Sequence, residues 1–341
     1  MWRRRIQIVG NHVCVNTEGE GSSATNVDHD GEMTTNNQIK VECRSSLERS
    51  ETNAQSSIDF EPGRHLVGRT IIVTGAGSGI GAATSILFAN HGANVILCDI
   101  DEKGAQATSD FIQNAIGADQ TLVVAGDVTE EGYPERVIGM AVEKFGGIDD
   151  LILNAGFTWD AVVHKMRDTQ WQTMFDVHVS APFKMIRAAA PFMRDAAKRE
   201  IENLGFAKGR SILTISSVSG VHGNAGQANY AAAKAGIVGL TKTLAKEWGQ
   251  FNIRANSVVL GHFKTRLTQD KNKGASINFR GEDIKLGIPQ SNNISALMEQ
   301  MIPLQRLGLP EEAAGAMLIL TGPYASYITG QAIEVTGGGW M

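Results

Sequence analysis

The chain lacks most of the features that announce a metalloprotein, a secreted scaffold, a membrane protein or a nucleic-acid binder. It has three cysteines in 341 residues, Cys14, Cys43 and Cys98, too scattered for a metal-ligand spacing or a disulfide framework. That scarcity points to a reducing, cytoplasmic setting and to no metal. Positive charge is in short supply as well. The formal net charge is -5, and residues 1–63 carry most of it, with six Lys/Arg against ten Asp/Glu. The remainder is nearly neutral and shows no basic face, which argues against a nucleic-acid partner. No apolar run approaches the roughly 18 residues of a membrane span, so no membrane is expected. No repeat at a solenoid period is present.

The acidic N-terminal stretch is rich in Ser, Thr, Asn and Glu and has no sustained apolar period. It reads as a disordered extension over residues 1–63, with Pro62-Gly63 marking the start of a folded domain over 64–341. Its basic opening, Met1 to Arg5, is followed by too short and broken an apolar stretch for a secretory signal. A mitochondrial transit peptide fits the lack of acids before Glu18 but not the acids that accumulate after it. An over-long gene start, with Met33 a later candidate, fits equally.

Beyond residue 63 the chain alternates short apolar runs with helical segments. The runs are Thr70–Thr74, Asn94–Cys98, Leu122–Ala125, Asp150–Leu153, Ser211–Ile215, Asn252–Val259 and Ala332–Val335. Helical patterns lie between them, among them Pro134–Phe145, Pro182–Glu202 and Asn229–Gly249. Alternating strand and helix predicts an α/β fold with a parallel sheet covered on both faces.

The first strand runs into Thr74-Gly75-Ala76-Gly77-Ser78-Gly79-Ile80-Gly81, and a helix follows. Strand, glycine turn and helix make the setting of a dinucleotide site. Gly75 permits the tight turn, Gly79 lets the backbone approach a pyrophosphate, and Gly81 allows close helix packing. The helix N-terminus then faces the phosphates. Asp99 ends the second strand, 24 residues after Gly75, where an acid can accept a hydrogen bond from a ribose 2′-hydroxyl. A carboxylate there repels a 2′-phosphate, and neither Ser78 nor Ile100 is a cation. NAD is therefore expected rather than NADP. Asp127-Val128, after the third strand, can meet an adenine edge. Asn154-Ala155-Gly156, after the fourth, lets a cofactor pass close to the backbone.

Tyr230 and Lys234 lie on one face of an alanine-rich helical segment. An ammonium beside a phenol favours the phenolate, so the tyrosine pKa is expected to fall from about 10 towards working pH. Such a tyrosine can give or take a proton in a carbonyl/alcohol reaction.

Taken in order, these motifs, with Ile215-Ser216-Ser217 between them, resemble the short-chain dehydrogenase/reductase family from about Gly68 to Gly339. Gly226-Gln227-Ala228-Asn229-Tyr230 through Gly236 is most similar to the 3-oxoacyl-[acyl-carrier-protein] reductases, as is the ending Thr329-Gly330-Gln331 and Val335 to Gly338. The resemblance implies a single Rossmann-type doubly wound domain with a seven-stranded parallel sheet. It implies that Tyr230 is the proton donor in reduction and the base in oxidation. Lys234 lowers its pKa and bonds the nicotinamide ribose, and Ser217 holds the substrate oxygen, with Ser216 as runner-up. Two donors aimed at the carbonyl oxygen would stabilise the charge that builds there as hydride arrives.

The chain departs from the family pattern twice. His178 stands where the family usually has an Asn that holds a water linked to the lysine. An imidazole can do the same, and it can equally be a satisfied core histidine. After the sixth strand Gly261 is kept but the usual proline before it is replaced by Leu260. Thr265 remains a candidate cofactor contact. The segment from about 266 to 302 takes the place of the family's mobile substrate lid. It is longer than a compact carrier-protein reductase needs. Lys264, Arg266, Lys271 and Lys273 near its start could meet an acyl-carrier protein, though a solvated charged loop is the plainer reading.

Small residues along two helices (Ala188, Ala189, Ala231, Ala235, Gly239) are implied to pair between subunits of a homotetramer, and core packing within one subunit is the competing account. The expected substrate is a small-molecule or acyl-thioester carbonyl. An NAD-dependent alcohol, sugar or polyol dehydrogenase is the alternative within the family. A cofactor-binding pseudoenzyme or scaffold is the alternative outside it, and the intact Ser217, Tyr230 and Lys234 argue against it.

Overall fold

The computed structural model describes residues 4–9, 12–17, 64–116, 119–273, 275–288 and 299–340. The chain divides into two units, Met1–Asn53 and Ala54–Met341. In the first, β1 (Arg4–Val9) pairs antiparallel with β2 (His12–Thr17), with Ile6 opposite Val15 and Ile8 opposite Val13. Both strands are short runs in which apolar and polar residues alternate. Residues 18–63, with the Pro62-Gly63 boundary, lie outside the described residues.

The second unit is built on a parallel sheet in the order β11-β8-β7-β6-β3-β4-β5. The strands are β3 (Thr70–Thr74), β4 (Asn94–Asp99), β5 (Thr121–Ala125), β6 (Asp150–Leu153), β7 (Arg210–Ser217), β8 (Ile253–Leu260) and β11 (Ala332–Val335). Central strands such as β3 and β6 are buried along their whole length, as continuous apolar runs covered on both faces must be. Alternate residues feed two cores. Ile72, Ile96, Leu151 and Ile212 pack with Tyr133, Val137, Met193 and Trp248. Ile71, Val95, Ile152 and Leu213 pack with Phe88, Ile112 and Met317. The helices responsible are α3 (Tyr133–Phe145), α5 (Ala181–Leu204) and α7 (Ala228–Trp248) on the first face. On the second they are α1 (Gly79–Asn90), α2 (Glu102–Ile116) and α8 (Pro310–Thr321). Shorter helices α4 (Asp168–Phe175) and α6 (Val218–His222) sit between.

Strand order reverses between β3 and β6. That reversal opens a crevice beyond the carboxyl ends of the two strands, and the chain places its glycine turn there. The long segment after β8 is not a plain polar loop. β9 (Ser276–Phe279) and β10 (Glu282–Lys285) form a hairpin, turning at Arg280 and Gly281, both at positive φ (51° and 83°). Phe279, Ile284 and Leu286 bury against Phe157, Met174 and Val177, next to Tyr230. Residues 289–298 of the expected lid lie outside the described residues.

Candidate active site

Tight packing at the glycine turn follows from the absence of side chains. A Cβ at Gly81 would lie 1.9 Å from the Gly75 carbonyl oxygen, and one at Gly75 would lie 2.9 Å from Ala155 Cα. Asn154 locks this turn: its Nδ2 donates to the carbonyls of Thr74 (3.1 Å) and Gly75 (3.3 Å). Thr74 Oγ1 accepts from the Ala155 amide at 3.0 Å. Thr74 and Gly81 therefore shape the cleft from behind and are not among its lining residues.

The cleft has a volume of about 770 Å3, within the usual range for a ligand site. The other expected cofactor positions line it: Gly75, Ser78, Gly79, Ile80, Asp99, Asp127, Val128, Asn154, Ala155, Gly156, Gly261 and Thr265. Asp99 closes β4 with Oδ2 accepting from the Gly77 amide (2.8 Å) and Oδ1 from the Asp101 amide (2.9 Å). Asp127 is turned towards its own loop, accepting from the Thr129 amide and hydroxyl at 2.8 and 2.6 Å.

Ser217, Tyr230 and Lys234 line the same cleft. Ser217 caps α6, accepting from the Ser219 amide at 3.2 Å, and it hydrogen-bonds the Tyr230 phenol. Ser216 points the other way: it is buried and donates to the Lys234 carbonyl at 2.7 Å. The geometry thus separates the two serines, one at the phenol and one holding α7. The Lys234 ammonium lies 5.5 Å from the Tyr230 ring centroid and donates to the Ile215 carbonyl at 2.7 Å.

The tyrosine pKa runs against expectation. Burial pushes the Tyr230 phenol up to about 12, the Ser217 hydrogen bond pulls it down and the Asp160 carboxylate pushes it up. Burial also drops Lys234 to about 7, so the lysine carries much less charge than an exposed one. A half-discharged cation cannot offset the desolvation of the phenol.

His178 is buried within a π-helical turn, Asp176–Ser180, that joins α4 to α5. Its Nε2 donates to the Phe157 carbonyl at 2.8 Å, its Nδ1 has no partner among the described residues, and its ring meets that of Tyr230 edge-on at 5.1 Å. Burial first and the Lys234 charge second hold it well below its ordinary 6.5.

Sequence reading missed several lining residues. Gln227 donates to the Asp160 carboxylate at 3.2 Å and accepts from Ser219 (2.9 Å) and Asn224 (3.0 Å), so its amide is oriented. Arg266, read as part of a solvated charged loop, donates to Ser78 Oγ at 2.6 Å. Lys271 also lines the cleft, whereas Lys264 is exposed and the side chain of Lys273 lies outside the described residues. Of the small residues read as a close-packing face, Ala189 is wholly in the core, while Ala235 and Gly239 are exposed.

The chain is similar to known proteins. Residues 75–339 match the family model described as Enoyl-(Acyl carrier protein) reductase. The 3-oxoacyl-[acyl-carrier-protein] reductase FabG of Thermotoga maritima is 36% identical over 273 residues, 80% of this chain and 98% of that one. The chain belongs to the short-chain dehydrogenase/reductase family. The (3R)-3-hydroxyacyl-CoA dehydrogenase of Canis lupus familiaris is 35% identical over 277 residues, 79% of this chain and 95% of its own. A crystal structure from Brucella melitensis, described as a short-chain dehydrogenase/reductase and glucose/ribitol dehydrogenase, matches with a TM-score of 0.68 at 27% identity. It is covered over 99% of its length and this chain over 82%.

Short-chain dehydrogenase/reductases are oxidoreductases that use a nicotinamide dinucleotide. The residues here fit that group. The amides of the first turn of α1 have no side-chain cap, and glycines clear the approach to them. Among the described residues no helix is long and apolar enough to cross a membrane, and no three His, Cys, Asp or Glu side chains cluster as a metal site.

Proposed function

We propose that this short-chain dehydrogenase/reductase interconverts a carbonyl and a secondary alcohol, and that its substrate is a 3-oxoacyl thioester of the acyl-carrier-protein or CoA kind. The observation that carries the reading is the convergence of Ser217 and the Tyr230 phenol on one point of the cleft, with Lys234 beneath. The nicotinamide held in this cleft would supply or take a hydride at the substrate carbon. The Ser217 hydroxyl holds the substrate oxygen. Tyr230 gives that oxygen its proton in reduction and takes it back in oxidation. A phenol near 12 is protonated at working pH, which suits the reducing direction. Asp160 lies near enough to act on the phenol, so it also disfavours an anionic group close to the reacting carbon.

The hairpin supports an acyl substrate. Phe157, Val177, Phe279 and Leu286 give the cleft an apolar cluster, while Asp160, Gln227, Asn224 and Lys271 give it polar lining. A 3-oxoacyl thioester has an apolar tail on one side of its ketone and an amide-bearing arm on the other. The named relatives from Thermotoga maritima and dog favour the same class. Asp99 favours NAD over NADP and keeps open the second reading, an NAD-dependent alcohol, sugar or polyol dehydrogenase. Exposed Trp171, Phe183 and Phe192 on α4 and α5 favour pairing of that face in a homotetramer.

The deciding experiment is a substrate panel run with NADH and NADPH. It contains a 3-oxoacyl-pantetheine thioester, simple ketones and ketoses. Turnover of the thioester at least tenfold above the others supports the reading. Turnover of ketoses alone supports the second. Dinucleotide binding with no turnover at all would favour a pseudoenzyme.

A further inference from the structure

Arg266 occupies an electrostatically odd place. It sits on a turn after β8 that is tied down by several hydrogen bonds. Thr265 N donates to Thr268 Oγ1 at 3.1 Å, and the Thr268 and Gln269 amides both donate to Thr265 O at 3.1 Å. Thr268 Oγ1 also donates to the Phe263 carbonyl. The turn holds Thr265 against the glycine loop, 3.5 Å from where a Cβ at Gly79 would stand. From there Arg266 Nη2 reaches Ser78 Oγ at 2.6 Å. Ser78 is the N-cap residue of α1, and its hydroxyl caps no amide of that helix.

A guanidinium therefore lies beside the positive end of a 12-residue helix. Arg266 is exposed, so solvent screens the repulsion between them, and an anion placed between the two is attracted by both. No carboxylate compensates. Among the described residues Arg266 makes no ion pair, and its partner is a neutral hydroxyl. The acids of the cleft are engaged elsewhere: Asp99 with backbone amides, Asp127 with Thr129 and Asp160 with Gln227. Arg266 is also the one guanidinium among the described residues that line the cleft.

We propose that Arg266 is a phosphate ligand of the dinucleotide, its guanidinium leaving Ser78 Oγ for phosphoryl oxygens held at the first amides of α1. The inference rests on the cleft being a dinucleotide site. The phosphoryl group belongs either to the pyrophosphate, common to both dinucleotides, or to the 2′-phosphate of NADP. A charged fork on either one is a strong, geometry-dependent contact.

The test is equilibrium binding, free of any substrate. NADH and NADPH are titrated by their fluorescence into wild-type protein, Arg266→Ala and Arg266→Lys. Arg266→Ala is expected to weaken binding by about tenfold to a hundredfold. Arg266→Lys should fall between, because it keeps the charge and loses the fork. Equal loss for both dinucleotides assigns the pyrophosphate, and loss for NADPH alone assigns the 2′-phosphate. The affinity lost should also shrink as salt rises from 0.05 to 0.5 M, a range chosen to bracket a Debye length of about 10 Å. Wild-type affinity for both dinucleotides in a normally melting Arg266→Ala protein overturns the role of the arginine and leaves the catalytic reading intact. Failure of the wild-type protein to bind either dinucleotide overturns both.

Discussion

A phenylalanine at position 178 distinguishes a histidine that moves protons from one that holds the tyrosine in place. The ring is 2% exposed, bonded through Nε2 to the Phe157 carbonyl and set edge-on against Tyr230. It is also hemmed in by Gly156, where a Cβ would come within 2.2 Å of Cε1. A relay through this ring needs the imidazolium, which burial and Lys234 both disfavour. Positioning needs only the ring and its one N–H. His178→Phe keeps an aromatic ring of similar size and removes the donor. Stranding the buried Phe157 carbonyl costs about 1–3 kcal/mol. In a domain of this size that lowers Tm by on the order of 2–10 °C.

If positioning is the role, kcat in the folded variant falls no more than about tenfold. Loss of a general acid–base group removes about 10²–10⁴. The assay is paired: a thermal melt, and kcat against pH in the reducing direction. His178→Asn, which restores a side-chain N–H, should recover part of both. The reasoning is refuted by a phenylalanine variant that melts like wild type yet has lost a hundredfold or more in kcat. An asparagine that fails to recover rate while recovering stability would refute it as well.

Further outcomes follow from the buried charges. Lys234 falls from its ordinary 10.5 to about 7 on folding, so the unfolded chain binds more protons between those values and stability rises with pH across that window. Relative to Lys234→Met, the wild-type protein should gain up to about 1.4 kcal/mol per pH unit from pH 7.5 to 9.5 in urea titrations. A flat difference would mean the lysine is charged when buried. Because Tyr230 is held near 12, alcohol oxidation should climb steeply with pH between 7 and 9.5 while reduction stays level, checked by initial rates in each direction. Asp160→Asn removes a carboxylate that raises the phenol, so the oxidation profile should move to lower pH; no movement would show that the two groups do not communicate. Asp99→Ala should shift the ratio of NADH to NADPH affinity towards NADPH in the fluorescence titration, and an unchanged ratio would remove the carboxylate from cofactor choice.

Much of this was open to a reader of the sequence because the sheet is parallel and buried. Its strands must be short unbroken apolar runs, and Thr70–Thr74, Asp150–Leu153 and Ala332–Val335 match the observed ends. The glycine turn was legible for a similar reason, since close backbone approach leaves no other residue type at Gly75 and Gly81. The hairpin over the cleft could have been found too. Ile277 and Phe279 alternate up to Arg280-Gly281, and Ile284 and Leu286 alternate after it. It was hidden by the polar residues between, which face outward.

What no pattern of residue types could supply is the balance of charge inside the cleft. An i, i+4 lysine predicts a lowered phenol only if the lysine stays charged. Whether it does depends on how deeply the carbonyl of Ile215 and the sheet enclose it, and here enclosure takes Lys234 to about 7 and leaves Tyr230 near 12. The same blindness applies to Arg266. Its neighbours in sequence are Lys264, Lys271 and Lys273, which suggest a solvated run of charge. Its neighbour in space is the uncapped end of a helix 188 residues away. Charge repeated along a chain argues for solvent, whereas charge without a counter-ion at the mouth of a cleft argues for a ligand. Only the fold tells the two apart.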